Sequence, residues 1–144
     1  MSLSLIVGAG SYAERPSERG YAHFTEHLAF TGSTHYPSGT AARFFEENGM
    51  KFGRDANAFT SGNRTVFRIT LQKADQKTLS ESLQVLSDFA GGMLFAPESV
   101  ASERGVVLSE LALADTEEGR TLADLRKFLY GGTQFEFLPA GDLP

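Results

Sequence analysis

The stretch from residue 20 to residue 31 constrains the fold most, because it has no proline and no glycine after Gly20. It predicts a helix with Tyr21, Phe24 and Leu28 on one side and two alanines on another. A helix with almost no solvated face has to be buried between other elements. Its polar residues at positions 23, 26 and 27 must therefore point into an enclosed site.

The rest of the chain alternates β-prone runs with helical patterns. Strands are predicted at 3–7, 51–60 and 65–71, the last two joined by the turn-forming residues 61–64. Helices are predicted at 40–48, at 79–94, from Pro97 to about Glu118, and at 121–130. This order predicts an α+β fold, with helices packed on one face of a mixed, mainly antiparallel β-sheet. Three strands make a thin sheet, so we expect an incomplete domain.

The polar residues of the first helix are His23, Glu26 and His27. Two histidines at i and i+4 lie one turn apart on one side of a helix, so both imidazoles can reach one metal ion. Glu26 flanks the same side. Two satisfied core histidines are the plainer alternative, but burying three titratable groups together is costly without a metal.

A catalytic zinc site uses three protein ligands and keeps its fourth position for water. The chain has no cysteine, so the third ligand has to be His35, an aspartate or a glutamate. Glu103 and Glu110 lie two helical turns apart at the edge of an apolar stripe, where carboxylates are unusual unless paired or metal-bound. A salt bridge to Arg104 is the alternative for Glu103. Glu117 continues the line near a solvated helix end.

Three separated motifs stand out in the chain. His23-Phe-Thr-Glu-His27 has the inverted zinc-peptidase form H-x-x-E-H. The other two motifs are Gly53-Arg-Asp-Ala-Asn-Ala-Phe-Thr-Ser61 and Ser102-Glu-Arg-Gly-Val-Val-Leu-Ser-Glu110. Together these motifs resemble the insulinase/pitrilysin (M16) zinc peptidases, and the resemblance runs in order from about Val7 to Gly141.

The resemblance implies a zinc metalloendopeptidase that holds one Zn²⁺ per chain. His23, His27 and Glu110 would be the zinc ligands. Glu26 would be the general base that activates the zinc-bound water, and Glu103 the acidic partner that orients a histidine ligand. The strand residues Asn57, Ala58 and Phe59 would bind the extended peptide substrate.

The resemblance also implies which part of a peptidase this is. Residues 1–144 would be the zinc-site half of a partial N-terminal M16 domain, without its remaining strands or its C-terminal half. Family members enclose the substrate in a clamshell, so a C-terminal half or a partner subunit would complete the site. We therefore expect this chain alone to hold zinc and to cleave peptides poorly.

Several function classes are excluded or less favoured. A net charge of −5 argues against nucleic-acid binding, and no apolar run is long enough to span a membrane. S-ribosylhomocysteine lyases share a similar motif but need cysteine, which this chain lacks. Two alternatives stay open: a non-catalytic M16-like core or assembly subunit that retains the zinc site, and a zinc-stabilised binding module.

Overall fold

The computed structural model describes residues 1–141, which form three strands, five α-helices and two short 3₁₀ turns. The 3₁₀ turns are Ser11–Ala13 and Pro16–Glu18, within the segment between the first strand and the first helix. The strands and helices, in chain order, are β1 (Ser2–Val7), α1 (Tyr21–Ala29), α2 (Thr40–Glu47), β2 (Ala56–Thr60), β3 (Thr65–Thr70), α3 (Gln76–Gly91), α4 (Pro97–Ala114) and α5 (Glu117–Tyr130).

The sheet has the strand order β1-β3-β2, and both pairings are antiparallel. The predicted α+β class is confirmed. Within residues 1–141 the three strands pair with one another only in the antiparallel direction. Strand β2 lies at one edge. Two rows of side chains cross the core face of the sheet, Leu3–Ile69–Ala56 and Leu5–Phe67–Ala58.

Helices cover this face. Helix α1 packs on β2 and β3, and α3 packs on β1. The aromatic ring of Phe30, at the end of α1, lies 4.9 Å from that of Phe89 on α3, and both contact Phe67 in the sheet. Burial of these large apolar surfaces supplies the main driving force for the domain. This packing holds α1 against the edge strand β2.

Several boundaries differ from the sequence prediction. Among them, α3 ends at Gly91 rather than residue 94, and α5 begins at Glu117 rather than residue 121. Strand β2 begins at Ala56 rather than residue 51, because Gly53 has a φ of +83° and the Asp55 carboxylate accepts from the Lys51 N–H in a turn. Helix α3 begins at Gln76, where Asp75 caps the Thr78 N–H. The helix from Pro97 ends at Ala114, and Thr116 caps the separate α5 by accepting from the Gly119 N–H.

The first helix is less enclosed than expected. Glu26 and Leu28 are buried, but Tyr21 is 61% exposed. The last two helices are also largely exposed: α4 buries only Val107 among its described residues, and α5 buries none. Within residues 1–141, no helix combines the length and the apolar character that a membrane crossing requires.

Candidate metal centre

Helix α1 carries both histidines into a cleft between α4 and the edge strand β2. The imidazole rings of His23 and His27 have centroids 4.7 Å apart and planes inclined at 82°, as expected for residues one turn apart. Glu14 anchors the start of this helix, because its carboxylate accepts hydrogen bonds from the Gly20 and Ala22 N–H groups at 2.9 and 2.7 Å.

Glu110 reaches the same point from α4. Its Oε2 lies 3.3 Å from His27 Nε2 and 3.8 Å from His23 Nε2, and the three ligand atoms all lie within 4.8 Å of one another. Two atoms that each bind zinc at about 2.1 Å in a tetrahedral site are roughly 3.4 Å apart. The spacing and the donor set, two imidazoles and one carboxylate, therefore fit a zinc ion that keeps an open position.

Glu103 lies on the other nitrogen of His27. Its Oε2 is 3.3 Å from His27 Nδ1, and its ion pair among the described residues is with this histidine rather than with Arg104. A carboxylate that holds the second ring nitrogen selects the tautomer and orients the ring of a histidine ligand. His27 thus has Nε2 directed at Glu110 and Nδ1 held by Glu103.

Burial lowers the pKa of His23 below its usual range, and the neighbouring His27 adds to the effect. A neutral imidazole is the form that binds a metal, so this shift favours ligation at neutral pH. Among residues 1–141, the buried Nδ1 of His23 has no hydrogen-bond partner, in contrast to Nδ1 of His27.

Glu26 is 8% exposed and accepts a hydrogen bond of 2.6 Å from Thr60 Oγ1 through its Oε2. This length is typical of a strong hydrogen bond between a hydroxyl and an ionised carboxylate. Within the described part of the chain, Oε1 has no hydrogen-bond partner. One carboxylate oxygen is therefore held and the other is available to a ligand in the cleft.

The cleft has a volume of about 1080 Å³ and contains all eight residues that the sequence analysis assigned to a site. Asn57, Ala58 and Phe59 line it from β2, opposite the helix α4 that carries Glu103 and Glu110. Exposed aromatic surface from Phe52 and Phe59 gives the cleft an apolar part beside its carboxylates.

His35 lies away from this cluster. Its Nδ1 is 2.8 Å from Asp88 Oδ1, and Asp88 also accepts from Ser33 Oγ at 2.6 Å, so the histidine helps to anchor its loop on α3. Glu117 begins α5 and is exposed. Neither residue belongs to the group of three that could hold a metal among the described residues.

Two residues of the site were missed. The sequence predicts Thr60 only as the end of a strand and assigns Glu14 no role, because both act through partners on other elements. Thr60 directly follows residues 57–59, and nothing in its local sequence indicates a contact with a residue 34 positions away. The sequence gives a weak signal for the role of Glu14 at the start of α1, since Glu14 lies in a polar loop shortly before Gly20.

Comparisons with known proteins identify the family of this chain. The model of the family described as Insulinase (Peptidase family M16) matches residues 1–134. A probable zinc protease PqqL of Haemophilus influenzae is 39% identical over 108 residues, 75% of this chain and 12% of that protein. The PqqL of Escherichia coli is 33% identical over 134 residues, 93% of this chain and 14% of that protein.

Solved structures show the same fold. The periplasmic protease PqqL of Escherichia coli matches 98% of this chain with a TM-score of 0.91 and 32% identity, over 16% of its own length. Pitrilysin matches 99% of this chain with a TM-score of 0.77 and 27% identity, over 14% of its own length. The chain thus spans about a seventh of these proteins. It belongs to the insulinase family of M16 peptidases.

Proposed function

We propose that this chain is the zinc-site part of a metallopeptidase that hydrolyses peptide bonds. The observation that carries the proposal is the convergence of His23, His27 and Glu110, with their ligand atoms within 4.8 Å of one another. This cluster combines the residue types of a catalytic zinc site with only three protein ligands, which leaves one position for water or substrate. The naming of its relatives as zinc proteases gives independent support.

The residues in and around the cluster have distinct roles in this proposal. When bound, zinc lowers the pKa of a coordinated water and polarises the scissile carbonyl. Glu26 is the general base: its free oxygen would accept a proton from the attacking water and pass that proton to the nitrogen of the leaving amine. Glu103 holds Nδ1 of His27, which leaves Nε2 facing Glu110, where it would bind the ion. Glu110 supplies a negative charge that offsets part of the charge of zinc.

The peptide substrate binds along the open edge of β2 by adding a strand to the sheet. The Thr70 N–H donates to the Asp55 carbonyl and the Ser61 N–H to the Arg64 carbonyl, which sets the alternation of the ladder. In an antiparallel pair, every second residue bonds to its partner strand and the others face away. The backbone N–H and C=O groups of Asn57 and Phe59 therefore bond to β3, while those of Ala58 point to the open edge. The Asn57 side chain accepts from the Ala58 N–H, so a bound peptide would displace this contact.

The remainder of the active site is supplied by a C-terminal half of the same protein or by a partner subunit that closes a clamshell over the cleft. The small share of its relatives that this chain spans supports this view. The first half of the Escherichia coli protease PqqL has been solved as a separate structure, and this chain covers 30% of it. We expect the chain alone to bind zinc and to turn over peptides weakly.

The test begins with the zinc content of the purified chain after dialysis against metal-free buffer. We expect about one zinc per chain, retained in the variant Glu26→Gln and lost in His27→Ala. Turnover of a fluorogenic peptide by the chain assembled with its second half should fall at least about 100-fold in Glu26→Gln, the typical contribution of a general base. Glu98→Gln, which removes a carboxylate elsewhere in the same cleft, should leave it unchanged.

Three outcomes would contradict parts of the proposal. A chain without zinc contradicts the metal site. Turnover that is absent from the assembled protein, with zinc retained, supports the non-catalytic M16-like subunit instead. Robust turnover by the 144-residue chain alone, abolished by Glu26→Gln, contradicts the requirement for a second half.

A further inference from the structure

We propose that Thr60 is a positioning residue that aims Glu26 and couples its orientation to the docking of a peptide on β2. The inference rests on the proposed function and deepens it. The hydroxyl of Thr60 donates to Glu26 Oε2 at 2.6 Å, and the Glu26 carboxylate has no other hydrogen bond within residues 1–141. Thr60 is therefore the residue that determines which carboxylate oxygen stays free.

The hydroxyl proton of Thr60 is committed to this contact. A threonine hydroxyl has one proton to donate. The nearby Thr65 Oγ1, 3.4 Å from Thr60 Oγ1, directs its own proton to the Ala9 carbonyl at 3.0 Å. Each of the two hydroxyls thus has its own acceptor, Glu26 Oε2 for Thr60 and the Ala9 carbonyl for Thr65. Thr60 is therefore the donor in its bond with Glu26.

The position of Thr60 in the ladder links this contact to the substrate edge. Counting from the bonded pairs Asp55–Thr70 and Ser61–Arg64, Thr60 directs its backbone N–H and C=O away from β3, as Ala58 does. Its side chain meanwhile lies on the α1 side and bonds to Glu26. A peptide that adds a strand at this edge would bond to the backbone of the residue whose side chain holds the general base.

The contact is separate from the metal ligands. Thr60 has no hydrogen bond to His23, His27 or Glu110 in the described structure, so removing its hydroxyl should leave zinc binding intact. The consequence should be confined to ligands and steps that use the free oxygen of Glu26. This separation makes the proposal testable without relying on turnover alone.

The test uses the full 144-residue chain loaded with zinc and two probes, a dipeptide hydroxamate and the same dipeptide with a thiol as its zinc-binding group. The hydroxamate hydroxyl bonds to a carboxylate beside the metal, whereas the thiol has no such bond. Thr60→Val should weaken hydroxamate binding at least about tenfold, the loss expected when a charge-assisted hydrogen bond is removed. Zinc affinity and thiol binding should stay within about twofold of the original chain, a spread that a lost hydrogen bond would exceed.

Two variants complete the design. Thr60→Ser keeps the hydroxyl and should retain hydroxamate affinity, while Thr70→Val removes a hydroxyl from β3, where it lies 3.4 Å from Ser2 Oγ, and should change nothing. If Thr60→Val does not fold, Thr60→Ala compared with Thr60→Ser decides the question in the same way. In the assembled peptidase, Thr60→Val should lower kcat and leave KM unchanged.

The outcomes separate this inference from the proposed function. Normal hydroxamate affinity in Thr60→Val, with a loss in Glu26→Gln, overturns the role of Thr60 and leaves Glu26 as the base. Normal hydroxamate affinity in both variants overturns the role of Glu26 as well. Equal losses for the hydroxamate and the thiol show that Thr60 supports the site only structurally, which also overturns the inference.

Discussion

Replacing Glu103 should weaken zinc binding without removing a ligand. The carboxylate lies 3.3 Å from His27 Nδ1, and the side chains of Glu103 and His27 are 22% and 17% exposed. Glu103→Gln keeps an oxygen that can accept from Nδ1–H but removes the negative charge. Glu103→Ala removes both, so the two variants separate the charge from the hydrogen bond.

The magnitude follows from the geometry of this contact. Carboxylate partners of histidine ligands generally contribute 10- to 100-fold to metal affinity. A separation of 3.3 Å is slightly beyond the usual N–H···O range of 2.7–3.2 Å, which places Glu103→Gln near the lower end. We expect a loss of about tenfold, or about 1.4 kcal/mol, for Glu103→Gln and a larger loss for Glu103→Ala.

Competition with a chelator of known affinity measures the effect, with zinc content checked by elemental analysis. Glu98→Gln is the matched control, since Glu98 lies on the first turn of the same helix and lines the same cleft. Equal zinc affinity in Glu103→Gln and the unmodified chain would refute the reasoning. So would an equal loss in Glu98→Gln, because the effect would then come from overall charge rather than from the contact with His27.

Three further predictions concern stability. Asp88 is 3% exposed, and although burial alone raises its pKa, hydrogen bonds from Ser33 and His35 hold that pKa well below its usual range. Asp88→Ala should therefore lower the free energy of unfolding, measured by urea denaturation, by about 3 kcal/mol. An unchanged urea midpoint would contradict this. The pKa of His23 is lower in the folded than in the unfolded chain, so the stability of the metal-free chain should be fully present above about pH 6.5 and fall as the pH drops below it. Thermal melts should show this slope, and His23→Gln should reduce it. Gly10→Ala would place a Cβ 2.1 Å from the Ser61 carbonyl oxygen, so it should destabilise the fold by at least about 1 kcal/mol, and a melting temperature equal to that of the unmodified chain would disprove the close approach.

The sequence was sufficient to predict the element types and the convergence of His23, His27 and Glu110 for physical reasons that can be stated. The i, i+4 spacing of His23 and His27 is a property of any helix, so it needs no knowledge of the tertiary fold. The position of Glu110 followed from helical periodicity and from the family motif. Its 50% exposure did not follow, because the apolar stripe of α4 indicated a more inward position.

Features that depend on contacts between distant elements could not be predicted. The bond from Thr60 to Glu26 exists because α1 lies along β2, and the strand boundary at Ala56 depends on a turn that Asp55 stabilises. The break between α4 and α5 depends on the cap at Thr116. None of these has a periodic signal in the sequence.

Helix α4 contributes Glu110 to the cluster and Glu103 to the far side of His27. Its hold on the rest of the domain is slight, with Val107 as its one buried residue among those described. An ion bound by α1 and α4 together would act as a crosslink between segments more than 80 residues apart in sequence. The affinity for zinc and the attachment of α4 are then thermodynamically linked. Anything that loosens α4 raises the dissociation constant for zinc. Amide hydrogen exchange in α4 should consequently speed up when the chain is stripped with a chelator, while exchange in β3 stays slow.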